Sequence, residues 1–226
     1  MTEALIEIKN LYKDYIVNKN SICILNKINF SVMKGDIISI IGPSGSGKST
    51  LLNILGLLDS NYAGEYKFLK QNVDNLTTNK KNILRNRSIG FVHQFFHLIP
   101  ELNILENVSL PCLIANNNIN NSFSKAKRII NEFNLEQRSY SKPANLSGGE
   151  QQRVAIARAL INQPKIIFAD EITGNLDEKT SDSVFDFFLE TIKLNKQSLI
   201  YVTHNNKYAK KADKVYEISN QNLIEL

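Results

Sequence analysis

Cysteine is nearly absent: Cys23 and Cys112 are the only two in 226 residues. A disulfide framework or a zinc site needs more sulfur, more closely spaced, so a reducing, cytosolic setting is expected. His93 and His97 have no metal-ligand spacing with Cys112, and neither is assigned a ligand role. Long apolar runs are missing too. None reaches the about 18 residues needed to span a bilayer, and Met1-Thr2-Glu3 begins no basic-then-apolar leader. The expectation is a chain that neither crosses a membrane nor is exported by itself. Basic residues outnumber acidic ones, 27 to 22, for a net charge of +5. Their clusters (Lys80-Lys81 with Arg85 and Arg87, Lys125 to Arg128, Lys207 to Lys214) are scattered, and none is interleaved with a platform of several aromatics on which bases could stack. They read as solvated surface, and no nucleic acid is expected as a partner.

The length suits one domain with room for a subdomain. Residues 4–41 alternate apolar and polar in short pieces (Leu5, Ile6, Ile8; Ile22, Ile24, Leu25; Ile28, Phe30, Val32), the pattern of an antiparallel β layer ahead of the strand that leads into the glycine-rich loop. The runs Ile89 to Val92, Ile166 to Ala169 and Leu199 to Val202 are too short for helices and read as buried parallel strands of an α/β core. Between Gln94 and Leu160 the patterns are helical, notably Ser124 to Phe133 and Glu150 to Leu160, which predicts a helical subdomain inserted into that core. The tract Asn116 to Asn121 reads as a polar surface loop.

Gly42-Pro43-Ser44-Gly45-Ser46-Gly47-Lys48-Ser49 fits G-x-x-x-x-G-K-[ST], follows the apolar run Ile37 to Ile41, and with Thr50, the last nucleotide-binding candidate of this stretch, precedes the helix-compatible Leu51 to Leu55. The glycines permit backbone conformations in which successive N–H groups converge on phosphate oxygens. Those amides then open a helix whose positive end faces the anion. Lys48 is placed to reach the β- and γ-phosphates of a nucleoside triphosphate, and the Ser49 hydroxyl to ligate the bridging Mg²⁺.

A second stretch, Leu146-Ser147-Gly148-Gly149-Glu150-Gln151-Gln152-Arg153, has the S-x-x-E spacing of a capping box and continues as helix. Ser147, Gly148 and Gly149 then lie at a helix end suited to a phosphate. With these two motifs together, the chain resembles the ATP-binding cassette (ABC) ATPase family, from about Leu5 to Ile218. The resemblance implies a single ABC ATP-binding domain over 1–226. Its nucleotide-binding core takes about 1–93 and 161–226 and its helical subdomain about 94–160. The implied fold is an α/β P-loop core with an N-terminal antiparallel β layer and an inserted α-helical subdomain.

The family pattern also assigns roles. Lys165 to Glu171 looks like its second nucleotide motif, an apolar strand ending in two carboxylates. Asp170 is then a Mg²⁺ ligand, and Glu171 the group that orients or deprotonates the attacking water. Gln94 matches the glutamine that senses Mg²⁺ and the γ-phosphate while its loop touches a membrane partner. Gly174-Asn175-Leu176-Asp177 resembles the loop that crosses between protomers, and His204 the histidine that bonds the γ-phosphate. Tyr15 matches the aromatic that stacks on adenine, with Tyr12 as its rival. One departure stands out: Ile172 follows Glu171 where the family has Pro, which removes a φ constraint and adds an N–H.

The resemblance further implies an ATP- and Mg²⁺-dependent homodimer, head to tail, in which Lys48 of one protomer and Ser147 of the other share each ATP. That dimer drives integral-membrane permease subunits from the cytoplasmic face of the inner membrane. Phe95-Phe96-His97-Leu98 are expected to line a groove for a short permease helix. Phe91 to Gln94, Leu98 to Pro111 and Thr173 to Asp177 are similar to the macrolide-export and lipoprotein-releasing (MacB/LolD-type) branch. The cell-division (FtsE-type) relatives share Gly-Asn-Leu-Asp, and peptide-antibiotic exporters are close. Soluble DNA-repair cassettes, a rival class, insert a long coiled coil, and Ser49 and Leu146 lie too close together for one. The transported substrate is not written in this chain, because that specificity lies in the permease.

Overall fold

Alternation of apolar and polar residues produces a long hairpin at the start of the chain. In the computed structural model, which describes residues 4–116 and 118–226, β1 (Ala4–Val17) and β2 (Asn20–Met33) pair antiparallel. The expectations for Met1-Thr2-Glu3, and for Asn117 within the Asn-rich tract, lie outside the described residues. Asn18 and Lys19 close the hairpin with φ of 49° and 68°, the left-handed pair that matches strand twist in a two-residue turn. Register shifts between Leu11 and Lys13 and between Lys13 and Asp14 break the alternation, and they coincide with burial of both Leu11 and Lys13.

The chain forms two compact units, one comprising residues up to Asn82 with Lys196–Leu226, the other Ile83–Asn195. The first holds β1, β2, β3 (Ile37–Ile41), α1 (Lys48–Leu55), β4 (Ala63–Phe68) and β5 (Gln71–Asn72). The helix α2 (Thr78–Ser88) carries the boundary. An antiparallel sheet runs in the order β2-β1-β4-β5. Among the residues of the second unit, β6 (Ile89–Val92) is followed by α3 (Ile104–Asn116), α4 (Ile119–Glu132), α5 (Gly148–Leu160), β7 (Ile166–Asp170) and α6 (Glu178–Leu194). The chain then returns to the first unit with β8 (Ser198–Val202), α7 (Asn206–Ala209), β9 (Lys214–Ser219) and β10 (Asn222–Glu225).

In the first unit β3 pairs in parallel with both β8 and β9, and β10 adds antiparallel to β9. Ile37, Ile38 and Ile40 of β3 and all of β8 are buried, as strands covered on both faces must be. In the second unit β6 and β7 pair in parallel, Ile89 opposite Ile166 and Val92 opposite Ala169. The helical stretch 94–160 lies in this unit together with those two strands. Each amphipathic helix there buries one stripe: Ser122, Ala126 and Ile130 on α4; Ser181, Val184, Phe185, Phe188 and Ile192 on α6.

Two sequence expectations need correction. The Asn116 to Asn121 tract is a helix junction rather than a loop: Asn116 ends α3, and the Asn118 side chain caps α4 by accepting the Asn121 N–H at 2.9 Å. Asparagine is a strong N-cap, which is why α4 starts at Ile119 and not at Ser124. Two additional strands, β4 and β5, lie between α1 and β6. They are joined through Leu69 and Lys70 at φ of 52° and 63°, a turn without the usual glycine signal.

Candidate functional site

The first unit carries the phosphate loop. Buried β3 delivers the chain at Ile41, and α1 begins at Lys48. Gly42 has φ 144°, and a Cβ there would meet the Ile218 carbonyl oxygen at 2.6 Å; Gly47 has φ 102°, and its Cβ would meet Ile24 Cγ2 at 2.8 Å. Both positions therefore exclude side chains twice over, by conformation and by space. Gly47 is the N-cap of α1 and supplies no side-chain hydrogen bond. The other long helices with described caps differ: Asn118, Ser147 and Asp177 each accept a backbone N–H at the start of α4, α5 and α6. The first turn of α1 thus has no side-chain oxygen to satisfy its amides, which suits a phosphate.

Lys48 is buried and donates through Nζ to the carbonyls of Gly42 at 2.9 Å and Pro43 at 2.7 Å. Its charge is held within the loop. Pro43, Ser44, Gly45 and Ser49 are exposed and Thr50 half-buried. The Ser46 hydroxyl is buried with no partner among the described residues. A loop with left-handed glycines, bare amides, an ammonium and a buried unpartnered hydroxyl fits a polyphosphate.

Tyr15 and His204 lie in the same unit. Tyr15 is 42% exposed on the β1–β2 hairpin, with Lys13 Nζ 4.7 Å from its ring centroid. Tyr12, its rival, has its phenol held above its ordinary value, chiefly by Cys23 beside it. His204 is exposed just beyond β8. The Thr203 N–H before it donates to the Ile40 carbonyl of β3 at 3.3 Å, and the Thr203 hydroxyl accepts from Asn205 N–H at 3.0 Å.

In the second unit β7 ends at Asp170, and Glu171 follows with φ 44°, left-handed for a residue that rarely adopts it. The turn is tied locally: the Gly174 N–H donates to the Glu171 carbonyl at 3.0 Å, and the Asn175 amide donates to the Gln94 carbonyl at 2.9 Å. A Cβ on Gly174 would come within 2.9 Å of Gln94 Nε2, so the glycine admits the glutamine side chain beside the turn after Glu171. Gln94, Glu171 and Asn175 are thereby gathered. Ile172, in place of proline, is 4% exposed and anchors the turn by burial.

At the start of α5 the capping box forms in full. Ser147 Oγ accepts the Glu150 N–H at 3.3 Å, and Glu150 Oε2 accepts the Ser147 N–H at 2.8 Å. Gly149 has a packing reason as well, because a Cβ there would meet Thr180 Cγ2 of α6 at 2.6 Å. Gly148 is tight against Leu176 at 3.0 Å. Asp177 caps α6 through Thr180, and those hydrogen bonds hold its carboxyl below the ordinary range.

Two residues outside the sequence expectations shape these loops. Arg158 of α5 donates to the carbonyls of His97 at 2.6 Å and Phe96 at 2.8 Å, clamping the segment after Gln94; an arginine inside Ile156-Ala157-Arg158-Ala159-Leu160 was the available signal. Asn107 of α3 accepts the Ile99 N–H at 2.8 Å and donates to the Ile99, Leu102 and Asn103 carbonyls. Burial and the neighbouring His97 lower the His93 imidazole's pKa, and its ring packs on Phe91 and His97. Phe95 remains 65% exposed.

The ABC transporter family model matches residues 25–174. The lipoprotein-releasing system ATP-binding protein LolD of Wigglesworthia glossinidia brevipalpis is 45% identical over 220 residues, 97% of this chain and 96% of that protein. LolD of Rickettsia felis is 43% identical over 218 residues, 96% of each. Among solved structures, a dimeric ATP-binding cassette in a post-hydrolysis state bound to ADP and Pi aligns with TM-score 0.89 and 35% identity, over 98% of this chain and 97% of that one.

The capping box generates a pH prediction. The Ser147 hydrogen bonds, with Arg138 beside them, hold the Glu150 carboxyl below its ordinary value. A carboxyl depressed by folding contributes stability above its unfolded pKa and loses it as the pH falls through the folded one. Glu150→Gln should cost about 0.3–1 kcal/mol at neutral pH. Urea midpoints measured down the acid limb should begin to converge for parent and variant below the ordinary carboxylate pKa and meet only below the depressed, folded value. A gap that stays constant to low pH means the charge contributes nothing.

Proposed function

We propose that this chain, which belongs to the ABC transporter family and is an ATP-hydrolysing, ATP-binding cassette, powers a separate lipoprotein-releasing permease. The bare N-terminus of α1 carries the chemical reading. Full-length similarity to LolD proteins supports the branch. In this reading the protein works as a homodimer attached peripherally to the cytoplasmic face of the inner membrane. Among the described residues no helix is long and apolar enough to cross a membrane.

The triphosphate lies over the first turn of α1, and the Lys48 ammonium exchanges the Gly42 and Pro43 carbonyls for phosphate oxygens. Tyr15 stacks on the adenine. The Ser49 hydroxyl, the Gln94 side-chain oxygen and the Asp170 carboxylate are the hard oxygen donors that Mg²⁺ accepts. When bound, Mg²⁺ neutralises charge on the β- and γ-phosphates. Glu171 orients the attacking water and takes its proton, while His204 bonds the γ-phosphate. The water oxygen joins the γ-phosphorus as the bond to the bridging oxygen breaks, giving ADP and phosphate. The Ser147, Gly148 and Gly149 amide end of a second copy closes over the γ-phosphate, and Asp177 lies in the loop crossing between copies. Closure on ATP and reopening after hydrolysis move the permease.

Glu171→Gln should retain ATP binding while slowing turnover by about 10²–10⁴-fold, the scale of lost general-base help. Steady-state hydrolysis beside equilibrium ATP binding reads both numbers, and turnover at the parent rate shows that Glu171 has been misassigned. The coupling surface is tested separately. Phe95 is exposed beside Gln94, and burying such a ring against a partner contributes about 1.5–3 kcal/mol. Phe95→Asp should keep the fold and ATP binding yet lose capture by a lipoprotein-releasing permease in membranes. Undiminished capture removes Phe95 from that surface.

A further inference from the structure

The β1–β2 hairpin buries a lysine. Lys13 is 2% exposed, although lysine is almost never fully buried unless it is paired. Its ammonium meets the Asp59 carboxylate at 2.8 Å, the Asn61 carbonyl at 2.5 Å, and the Tyr15 ring, 4.7 Å from its centroid. Withdrawing two charges from water is costly, and a methionine would fill similar space without that cost. The pair also sits at a particular junction. Asp59 lies in the turn after α1, beyond Gly56, Leu57 and Leu58, and its N–H, like that of Leu58, bonds back to the Asn53 carbonyl of that helix. Asp59 therefore moves with the helix that opens at the phosphate loop. A register shift separates Lys13 from Asp14, and across it the Lys13 ammonium meets the Tyr15 ring, which lies opposite Ile22, itself 48% exposed.

We infer that Lys13 is a positioning residue for nucleotide binding. Tethered to the phosphate-loop helix through Asp59, it holds the Tyr15 ring by a cation–π contact and so sets where the base stacks relative to the phosphates. An exposed tyrosine on a hairpin otherwise samples several rotamers, and stacking then has to select one. The inference rests on the reading of Tyr15 as the base platform, so its test must separate the two. A purely structural ion pair would weaken every ligand of the unit alike. A positioning lysine affects ligands that carry a base.

The test compares ATP with inorganic tripolyphosphate, titrated calorimetrically into the full-length protein. Lys13→Met combined with Asp59→Asn removes the cation without stranding a buried carboxylate. The ratio of ATP to tripolyphosphate affinity should fall about five- to tenfold, with tripolyphosphate affinity held within about twofold. Tyr15→Ala should lower the same ratio, and adding the charge-free pair to Tyr15→Ala should lower it no further. Asp59→Asn alone, which loosens the tether but keeps the lysine, should lower the ratio by a smaller factor. If Tyr15→Ala lowers the ratio while the charge-free pair does not, the inference falls and the stacking reading stands. If Tyr15→Ala changes nothing, the stacking reading falls and takes the inference with it. Equal loss of both ligands, or unfolding of the charge-free pair with an unchanged ratio in Asp59→Asn, makes the pair structural and overturns the inference.

Discussion

The first turn of a helix presents N–H groups that the helix itself cannot satisfy, and this chain treats its helices unequally on that point. Asn118, Ser147 and Asp177 answer the need with side-chain oxygens on α4, α5 and α6; Gly47 does not on α1. Much of the first unit follows from that difference. Gly47 needs a left-handed backbone and has Ile24 of β2 against the place a Cβ would take, so the hairpin packs on the loop. The parallel neighbours of β3 bury it and deliver the loop at a fixed point. Lys48 crosses back over the loop carbonyls, which keeps a positive charge where an anion is to arrive.

The second unit solves a different problem, the placement of carboxylates at a strand end. Glu171 sits in a conformation that costs about 1–3 kcal/mol for a non-glycine residue, and its surroundings over-determine it. Gly174 and buried Ile172 fix the turn, and Asn175 joins it to the Gln94 carbonyl. Arg158 holds the following carbonyls of Phe96 and His97 from the helix that Ser147 caps. Displacement of the α5 helix is thus felt at the Gln94 segment through direct hydrogen bonds. Such a contiguous link is what an ATPase needs if phosphate contact and partner contact are to bias one another.

Contiguous patterns were the legible ones. The α/β class, the antiparallel first layer, the phosphate loop and the capping box are written in neighbouring residues, because each is a local backbone requirement. Strands β4, β5 and β10 were silent: Leu69-Lys70 and Asn220-Gln221 turn left-handed without glycine, and the strands they join are short. The Asn-rich tract looked like a loop because composition does not distinguish a polar linker from a cap. Lys13 and Arg158 escaped notice for a tertiary reason. Their partners, Asp59 with Asn61 and the carbonyls of Phe96 and His97, are far along the chain, and no spacing rule reaches them. Gly149 combined both kinds, legible as a helix opener and illegible as the residue that lets α6 approach.

In the proposed mechanism two copies share each ATP, with the bare helix end of one meeting the capped end of Ser147 from the other. Mixing Lys48→Ala protein with Ser147→Arg protein tests this directly, since each is inactive alone and only a head-to-tail heterodimer rebuilds one site with both native residues. ATP hydrolysis returning on mixing, in proportion to the heterodimer formed, is the result predicted. A mixture that forms heterodimers with ATP yet hydrolyses no faster than its components contradicts the shared site.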